Sequence, residues 1–234
     1  MSNIAIITAR GGSKRIPRKN IKEFCGKPII VYSIEAAINS GVFDEVMVST
    51  DDEEIKEIAL KYGAKVPFMR SEATANDYAS TYEVLLEVLD EYEKLGKKFE
   101  CMCCVYPTAP FVTADILKQA MQTLETKNAE TVMPIVAFSF PPQRGLVIEN
   151  GQVKFKWEEN ALKRSQDLEK LYHDCGQFYA VNIKSFLEKK KLIMENTFPI
   201  MMDEVRVQDI DNEDDWKLAE IKFRYLKEKA SNRK

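Results

Sequence analysis

The loop at residues 9–20 contains the residue types that bind anions. It follows a short apolar run at residues 4–7 and reads Ala-Arg-Gly-Gly-Ser-Lys-Arg-Ile-Pro-Arg-Lys-Asn. Two adjacent glycines let backbone N–H groups approach an anion closely, and a serine hydroxyl adds another donor. The side chains that supply charge for a polyphosphate are Arg10, Lys14, Arg15 and Lys19. We call residues 9–20 the basic loop. The alternative interpretation is a surface turn with scattered basic residues.

The spacing within the basic loop excludes two common phosphate motifs. A Walker A motif needs two glycines separated by four residues and followed by Lys-Ser or Lys-Thr. A dinucleotide-binding motif needs a third glycine, where this loop has basic residues instead. The loop therefore predicts a phosphate site of another kind.

A second group of candidate residues is acidic. Residues 203–216, the acidic segment, hold seven acidic residues and one basic residue, whereas residues 1–28 hold seven basic and one acidic. Residues 205–210 read as a strand, on which Asp209 and Asp211 would point to one face. Two converging carboxylates suit Mg²⁺, which takes one or two of them together with substrate phosphate and water. The alternatives are a capped helix start and two solvated surfaces of opposite sign.

Asp51 and Asp52 follow another predicted strand and compete with the acidic segment as a metal site. Adjacent residues of a strand point in opposite directions, so the two carboxylates would not converge. We expect Asp51 to cap the next helix instead.

The elements that position these residues alternate along the chain. Hydrophobic periodicity predicts strands at 4–8, 46–49, 66–69, 101–106, 131–136, 178–183 and 205–210, and helices at 29–40, 51–62, 79–95, 113–127 and 212–229. This order predicts a mostly parallel sheet with helices on both faces. A ligand crevice is then expected beyond the carboxyl ends of the strands, where the loops 9–28, 70–78 and 107–111 would meet.

One stretch, about 140–170, departs from this pattern. Residues 146–155 contain Asn150-Gly151 between strand formers, which predicts a β-hairpin. We interpret the stretch as a lobe inserted into a single domain spanning 1–234, either a lid or a dimerisation element. The last residues, 231–234, are expected to fray from the final helix.

Composition excludes several classes of protein. The 234 residues carry a net charge of −3, which argues against a nucleic-acid-binding surface, and the single histidine excludes a multi-histidine metal site. A signal peptide or membrane span is not expected, because the apolar runs are short. The odd number of cysteines, five, indicates reduced thiols. We therefore expect a cytoplasmic protein with neither a nucleic-acid nor a membrane partner.

Several short motifs occur in a characteristic order. Ala9–Lys14 is followed by Ile-Pro-x-Lys-Asn, and the later motifs are Gly26-Lys-Pro-Ile29, Ser49-Thr-Asp-Asp52, Arg70 with Ala79-Ser-Thr81, Pro107-Thr-Ala-Pro110 and Asp209-Ile-Asp211. Their order resembles that of the CMP-sugar synthetases, the acylneuraminate cytidylyltransferases. Tyr106–Phe111 and Tyr172–Tyr179 are most similar to the pseudaminic acid cytidylyltransferases. Neuraminate enzymes usually have Gln where this chain has Tyr106.

The resemblance implies a fold, a reaction and a set of partners. The fold would be a Rossmann-like nucleotidyltransferase three-layer α/β sandwich with a small lobe containing the β-hairpin. CTP and a nonulosonic acid would give a CMP-sugar and pyrophosphate, with the anomeric hydroxyl attacking the α-phosphate. The enzyme would use Mg²⁺ and form a homodimer through the 140–170 lobe.

The resemblance also implies roles for individual residues. Nucleotide binding would fall to Ala9, Arg10, Gly11, Gly12, Ser13, Lys14, Lys19, Asn20, Arg70, Ala79 and Thr81. Catalysis would involve Arg10, Lys14, Lys19 and Asp211, and the metal would lie on Asp209 and Asp211. The sugar would contact Tyr106, Thr108, His173, Gln177 and Tyr179. On a strand, Gln177 and Tyr179 would share a face. For His173 a structural hydrogen bond is the main expectation.

Two alternatives stay open. The acceptor is another acidic sugar (N-acetylneuraminic, legionaminic or 3-deoxy-octulosonic acid), or the chain is a non-catalytic module that senses nucleotide. Lys19-Asn20 and the Gly-Gln-Phe-Tyr segment at 176–179 argue against octulosonate, and retention of Asp209 and Asp211 argues against a sensor.

Overall fold

Strands and helices alternate along residues 2–231, the part of the chain that the computed structural model describes. The strands are β1 Asn3–Thr8, β2 Glu23–Phe24, β3 Lys27–Pro28, β4 Glu45–Ser49, β5 Cys101–Val105, β6 Thr131–Ala137, β7 Leu146–Glu149, β8 Gln152–Phe155, β9 Tyr172–Asp174, β10 Phe178–Asn182 and β11 Thr197–Met201. The helices are α1 Ile30–Ser40, α2 Glu53–Lys61, α3 Glu72–Ala75, α4 Thr81–Lys94, α5 Ala114–Thr126, α6 Ile183–Lys189 and α7 Glu213–Ser231. Residues 232–234 of the tail that we expect to fray lie outside the described residues.

The main sheet is mixed, and five of its seven described strands, β1, β4, β5, β6 and β11, run in the same direction. Its order is β11-β6-β10-β5-β1-β4, and β9 pairs with β6. β1 runs parallel to β4 and β5, and β11 runs parallel to β6, whereas β10 and β9 are antiparallel to their neighbours. Thr8 is paired with Ser49, and Ile7 with Val105, so β1, β4 and β5 end side by side. The loops that follow these three strands therefore meet at one edge of the sheet.

Helices cover both faces of the sheet, which confirms the predicted three-layer α/β architecture. Side chains alternate along β1: Ala5 and Ile7 pack with α1, α2 and α5, whereas Ile4 and Ile6 pack with α4 and α6. All five residues of β5 are buried, as expected for a strand covered on both faces. A third apolar cluster packs α7 against the residues that follow the basic loop, with Trp216 against Phe24.

Most helix and strand predictions are confirmed within one or two residues, including the hairpin. β7 and β8 pair with each other around Asn150 and Gly151, whose φ angles of 52° and 77° are those of a tight hairpin turn. Gly41 ends α1 in the left-handed conformation, as predicted.

Three local predictions are wrong. Residues 66–69 do not form a strand: Lys65 makes a single bridge to Met47, and Pro67 has no N–H with which to continue the ladder. The predicted loop at 70–78 contains the short helix α3. Residues 205–210 form a 3₁₀ turn, Glu204–Arg206, followed by irregular backbone.

The last strand is β11, which the sequence analysis did not predict. It contains Pro199, which a strand tolerates best at the edge of a sheet, and β11 is an edge strand. Within residues 2–231, helices are either too short or too polar to cross a bilayer.

Candidate active site

Two clefts open at the edge of the sheet where β1, β4 and β5 end. The first, of about 450 Å³, is lined by the basic loop, the segment before α4 and the residues after β5. It brings together most of the residues predicted for the nucleotide: Arg10, Ser13, Lys14, Lys19, Asn20, Arg70, Ala79 and Thr81. Loops far apart in sequence thus meet in one place, as the α/β pattern predicted.

The second cleft, of about 690 Å³, adjoins the first. Tyr106 and Thr108 line both. The second cleft is also lined by His173 and Asp174 and by residues of the acidic segment and α7, namely Glu204, Gln208, Asp209 and Lys222. Ligands in the two clefts would therefore meet at Tyr106 and Thr108.

Three nucleotide candidates do not line the first cleft: Ala9, Gly11 and Gly12. Ala9 is fully buried, and its N–H donates to Ser49 at 2.9 Å. The N–H of Gly11 donates to the Asp51 carboxylate, also at 2.9 Å. A Cβ at Gly11 would lie 2.7 Å from an Asp52 carboxylate oxygen. Glycine is required at position 11 because the basic loop packs closely against Asp52. The N–H of Gly11 is already bound to the Asp51 carboxylate.

The predicted cap of α2 is wrong by one residue. Asp52, not Asp51, is the N-cap, and its carboxylate accepts the N–H of Ile55 at 3.0 Å. Asp51 instead binds Gly11 of the basic loop. The two adjacent carboxylates thus have different partners and do not converge.

Asp77 is a site residue that sequence reasoning missed. Its carboxylate lies in the first cleft, 2.6 Å from Arg10 Nη1, and also pairs with Lys14. Hydrogen bonds from Lys14 and Arg10 lower the pKa of Asp77. The signal was its position in the loop 70–78, which was already predicted to reach the crevice. Asp77 therefore pairs with Arg10 and Lys14, the two basic side chains that were predicted to bind phosphate.

Arg70 and Tyr106 form polar walls of the first cleft. Arg70 is buried, and its guanidinium donates to the Ser49 hydroxyl at 3.0 Å and the Ser49 carbonyl at 2.7 Å. Burial lowers the pKa of Arg70. The hydroxyls of Tyr106 and Thr81 are hydrogen-bonded at 3.0 Å. Burial raises the pKa of Tyr106 to about 12, so the phenol is neutral at pH 7.

The acidic segment lies against the basic loop, but not on a strand. The strand argument for convergence of Asp209 and Asp211 is therefore wrong. The segment is irregular because side chains from other elements bind its carbonyls. The donors are Gln177 to Arg206 at 2.7 Å, Lys222 to Val207 at 2.7 Å and Lys19 to Ile210 at 2.6 Å. Asp211 also pairs with Arg15 at 2.6 Å.

Lys19 is the residue of the basic loop whose side chain contacts the backbone of the acidic segment. It lines the first cleft and is half-buried. Burial lowers the pKa of its ammonium, and the nearby carboxylates of Asp211 and Asp209 oppose that shift. Both aspartates therefore act electrostatically on a lysine that faces the first cleft.

The donor chemistry of Asp209 and Asp211 fits Mg²⁺ held jointly by protein and substrate. Within residues 2–231, no group of three or more His, Cys, Asp or Glu side chains is arranged to hold a metal. Mg²⁺ keeps several waters and takes one or two carboxylates with substrate phosphates, so it does not need such a group.

Gln177 and Tyr179 do not line either cleft, in contrast to their predicted sugar contacts. Both are buried, Gln177 with 2% of its surface exposed. The Gln177 amide donates to the Arg206 carbonyl of the acidic segment, and the Tyr179 hydroxyl donates to the Asp174 carboxylate. Tyr179 packs edge-on against Tyr106, with 6.0 Å between ring centroids. Gln177 and Tyr179 therefore contact residues that line the second cleft, namely Asp174, Tyr106 and the acidic segment, without lining it themselves.

His173 lines the second cleft on β9. Its Nδ1–H donates to the Asp174 carbonyl at 2.9 Å. Its ring packs against Phe138, with 4.8 Å between ring centroids. The orientation of His173 is thereby set by both a hydrogen bond and an aromatic contact.

A three-layer α/β sandwich whose basic loop and acidic segment meet beside two adjoining clefts is the architecture of a nucleotidyltransferase-like protein. Residues 4–220 match the family model described as cytidylyltransferase, and the chain belongs to that family.

Two relatives match over nearly their whole lengths. A pseudaminic acid cytidylyltransferase of Campylobacter jejuni subsp. jejuni serotype O:2 is 44% identical over 231 residues, covering 98% of this chain and 100% of the relative. A CMP-N,N'-diacetyllegionaminic acid synthase of Legionella pneumophila is 31% identical over 229 residues, covering 94% and 95%.

A solved structure has the same fold. The structure of CMP:2-keto-3-deoxy-manno-octonic acid synthetase complexed with CTP superposes with a TM-score of 0.69. The match covers 97% of this chain and 100% of that chain at 19% identity.

Proposed function

We propose that this chain transfers a cytidylyl group from CTP to a nonulosonic acid, with pseudaminic acid as the preferred acceptor. The observation that carries the proposal is the pair of clefts that share Tyr106 and Thr108. The acidic segment meets the basic loop beside them. Family membership supports the cytidylyl donor, and the 44% identical relative supports the acceptor.

The reaction needs positioning and charge neutralisation more than covalent help from the protein. The anomeric hydroxyl oxygen of the sugar forms a bond to the α-phosphorus of CTP as the α–β phosphoanhydride bond breaks and pyrophosphate leaves. Arg10, Lys14 and Lys19 would bind phosphate oxygens, on which negative charge increases during the transfer. Ser13 would donate a hydrogen bond to the same group.

The cytidine would occupy the part of the first cleft that is lined by Arg70, Asn20, Ala79 and Thr81. Asn20 is held by its amide, which donates to the Arg10 carbonyl at 2.8 Å. Its contact to the backbone of the basic loop would couple base binding to the geometry of the phosphate contacts.

The sugar would occupy the second cleft. Its hydroxyl and amide groups would find partners in Thr108, His173 and Asp174, and Lys222 supplies a cation for the carboxylate. We reassign Gln177 and Tyr179 from sugar contact to positioning, because both are buried behind the cleft.

We propose that Asp209 and Asp211 hold Mg²⁺ together with the nucleotide. When bound, the ion would neutralise phosphate charge and support departure of pyrophosphate. Arg15 pairs with Asp211 in the structure, so this guanidinium would move away when the ion binds.

We propose that the 140–170 lobe forms a homodimer contact. Its exposed apolar side chains include Phe140, Leu146, Ile148, Val153 and Leu162. A small hairpin gains little stability from its own packing, and exposed apolar side chains of this kind support the proposal of an interface. Ile148→Asp is expected to give a monomer by light scattering, whereas Leu60→Asp on exposed α2 should leave the mass unchanged. A monomeric parent protein would refute the contact.

We also propose a cytoplasmic location. The reaction consumes CTP, and all five cysteines, four of them buried, are free thiols.

The direct test of function is pyrophosphate release from CTP with pseudaminic, legionaminic, N-acetylneuraminic and 3-deoxy-octulosonic acids. The highest kcat/KM is expected with pseudaminic acid. Preference for another of these sugars would correct the acceptor alone. CTP binding by calorimetry without turnover of any sugar would overturn the enzymatic proposal in favour of a nucleotide sensor.

A further inference from the structure

Arg18 is a base of the basic loop that faces away from the first cleft. Arg10, Lys14, Arg15 and Lys19 line that cleft, whereas Arg18 does not. The Arg18 guanidinium instead binds the Asp52 carboxylate through both terminal nitrogens, with Nη2 to Oδ1 at 3.0 Å, and also contacts Glu54. The hydrogen bond with Asp52 raises the pKa of Arg18 and lowers that of Asp52. The pair is therefore a fully charged, two-pronged contact.

The backbone of Arg18 sets the turn that carries two cleft residues. Its φ of 54° and ψ of 30° are in the left-handed region, which is unfavourable for a residue with a side chain. Its carbonyl accepts the N–H groups of Ile21 and Lys22, both at 3.0 Å. This conformation begins the 3₁₀ turn Lys19–Ile21 and so fixes the direction in which Lys19 and Asn20 leave the backbone.

Asp52 is itself fixed before it binds Arg18. It caps α2 through the N–H of Ile55, and the Thr50 hydroxyl accepts its N–H at 3.2 Å. The close packing of Gly11 against its carboxylate gives a second contact with the basic loop. Asp52 thus links both ends of the basic loop to the start of a helix.

We propose that Arg18 and Asp52 are positioning residues, which hold Lys19 and Asn20 in the geometry required by the triphosphate and the cytidine before CTP arrives. The inference rests on the proposed function of the first cleft, because it assigns a task to residues that do not reach the nucleotide. Preorganisation of this kind strengthens binding, because the loop need not be ordered by the ligand.

Asp52→Asn separates positioning from helix capping. Asparagine is as good an N-cap as aspartate, so α2 keeps its cap while the charged pair is lost. The expected result is CTP affinity weakened roughly tenfold by calorimetry, with a melting temperature close to that of the parent. In the full reaction, KM for CTP is expected to rise while KM for the sugar stays nearly constant.

Arg18→Met and Arg18→Lys provide the second arm of the test. Lysine keeps the charge but not the two-pronged geometry, so it should restore only part of the CTP affinity that methionine loses. Glu53→Gln is the matched control, since Glu53 lies in the same helical turn and pairs with Lys56 away from the basic loop. It is expected to bind CTP like the parent.

The CTP measurement needs no sugar, so failure of the positioning proposal is distinct from failure of the proposed reaction. Parent-like CTP affinity in Asp52→Asn and Arg18→Met would overturn the inference. A lower melting temperature with unchanged CTP affinity would also overturn it, because the pair would then be structural only. Should Asp52→Asn fail to fold, the comparison of Arg18→Lys with Arg18→Met decides the question.

Discussion

The Lys19 ammonium donates a hydrogen bond to the backbone carbonyl of Ile210 at 2.6 Å, across 191 positions of sequence. Ile210 is buried beside Ile16 and Trp216, so the carbonyl is presented by a fixed backbone. One side chain of the basic loop therefore joins the acidic segment directly. The two regions are therefore in contact, with the basic loop lining the first cleft and Asp209 lining the second, whereas Asp211 lines neither cleft and pairs with Arg15.

Replacement of Lys19 by methionine is expected to lower kcat/KM roughly 100-fold, because a charge that balances the phosphates is lost from a half-buried position. Steady-state pyrophosphate release checks this. Lys27→Met is the control, since Lys27 pairs with Glu35 away from the two clefts. Equal activity of the two variants would contradict the assigned role of Lys19.

Mn²⁺ serves as a spectroscopic substitute for Mg²⁺. Asp211→Asn is expected to weaken the affinity of the CTP complex for Mn²⁺ by more than about tenfold, because mutating even the residues that hydrogen-bond to metal ligands has an effect of that size. Electron paramagnetic resonance measures the free ion without turnover. Arg15→Gln breaks the same ion pair from the other side and should retain Mn²⁺ binding. If both variants bind Mn²⁺ like the parent, Asp211 is not a ligand.

Asp77→Asn is expected to tighten CTP binding about twofold to fivefold, which corresponds to the free energy of an exposed ion pair. The carboxylate on Arg10 and Lys14 competes with phosphate for both bases. Calorimetry at two salt concentrations checks this, with Glu72→Gln on α3 as the control. Weaker binding in Asp77→Asn would mean that Asp77 holds the two bases in place for the nucleotide.

The Arg18–Asp52 pair predicts a pH dependence of stability. The pKa of Asp52 is lowered in the folded chain, mainly by its hydrogen bond with Arg18. The pair therefore contributes its full stability above the unfolded pKa of about 3.9, and this contribution is lost as pH falls through the lower folded value. The free energy of unfolding should fall more steeply in the parent than in Asp52→Asn over that acidic window.

Urea unfolding at pH 7, 4 and 3 measures this difference. Asp214→Asn serves as a control, because Asp214 pairs with Lys217 on the exposed surface of α7. Parallel pH profiles for the parent and Asp52→Asn would show that the pair does not contribute in this way.

Local patterns predicted the features that depend on neighbouring residues. The apolar run before the basic loop, the period of α1 and the glycine at its end are short-range signals, and the structure confirms them. Residues 205–210 show where such signals fail. Their apolar spacing is that of a strand, but Gln177, Lys222 and Lys19 bind the carbonyls that a ladder would need.

The sequence by itself determined the alternation of strands and helices, the basic loop and the order of the family motifs. Each of these features depends on residues that are neighbours in the chain. Only the tertiary structure decided which partners these residues meet. The N–H of Gly11 binds Asp51, Asp52 caps α2 and holds Arg18, and Gln177 is buried behind the second cleft. These outcomes depend on distances between segments far apart in the chain, and such distances exist only once the sheet has assembled.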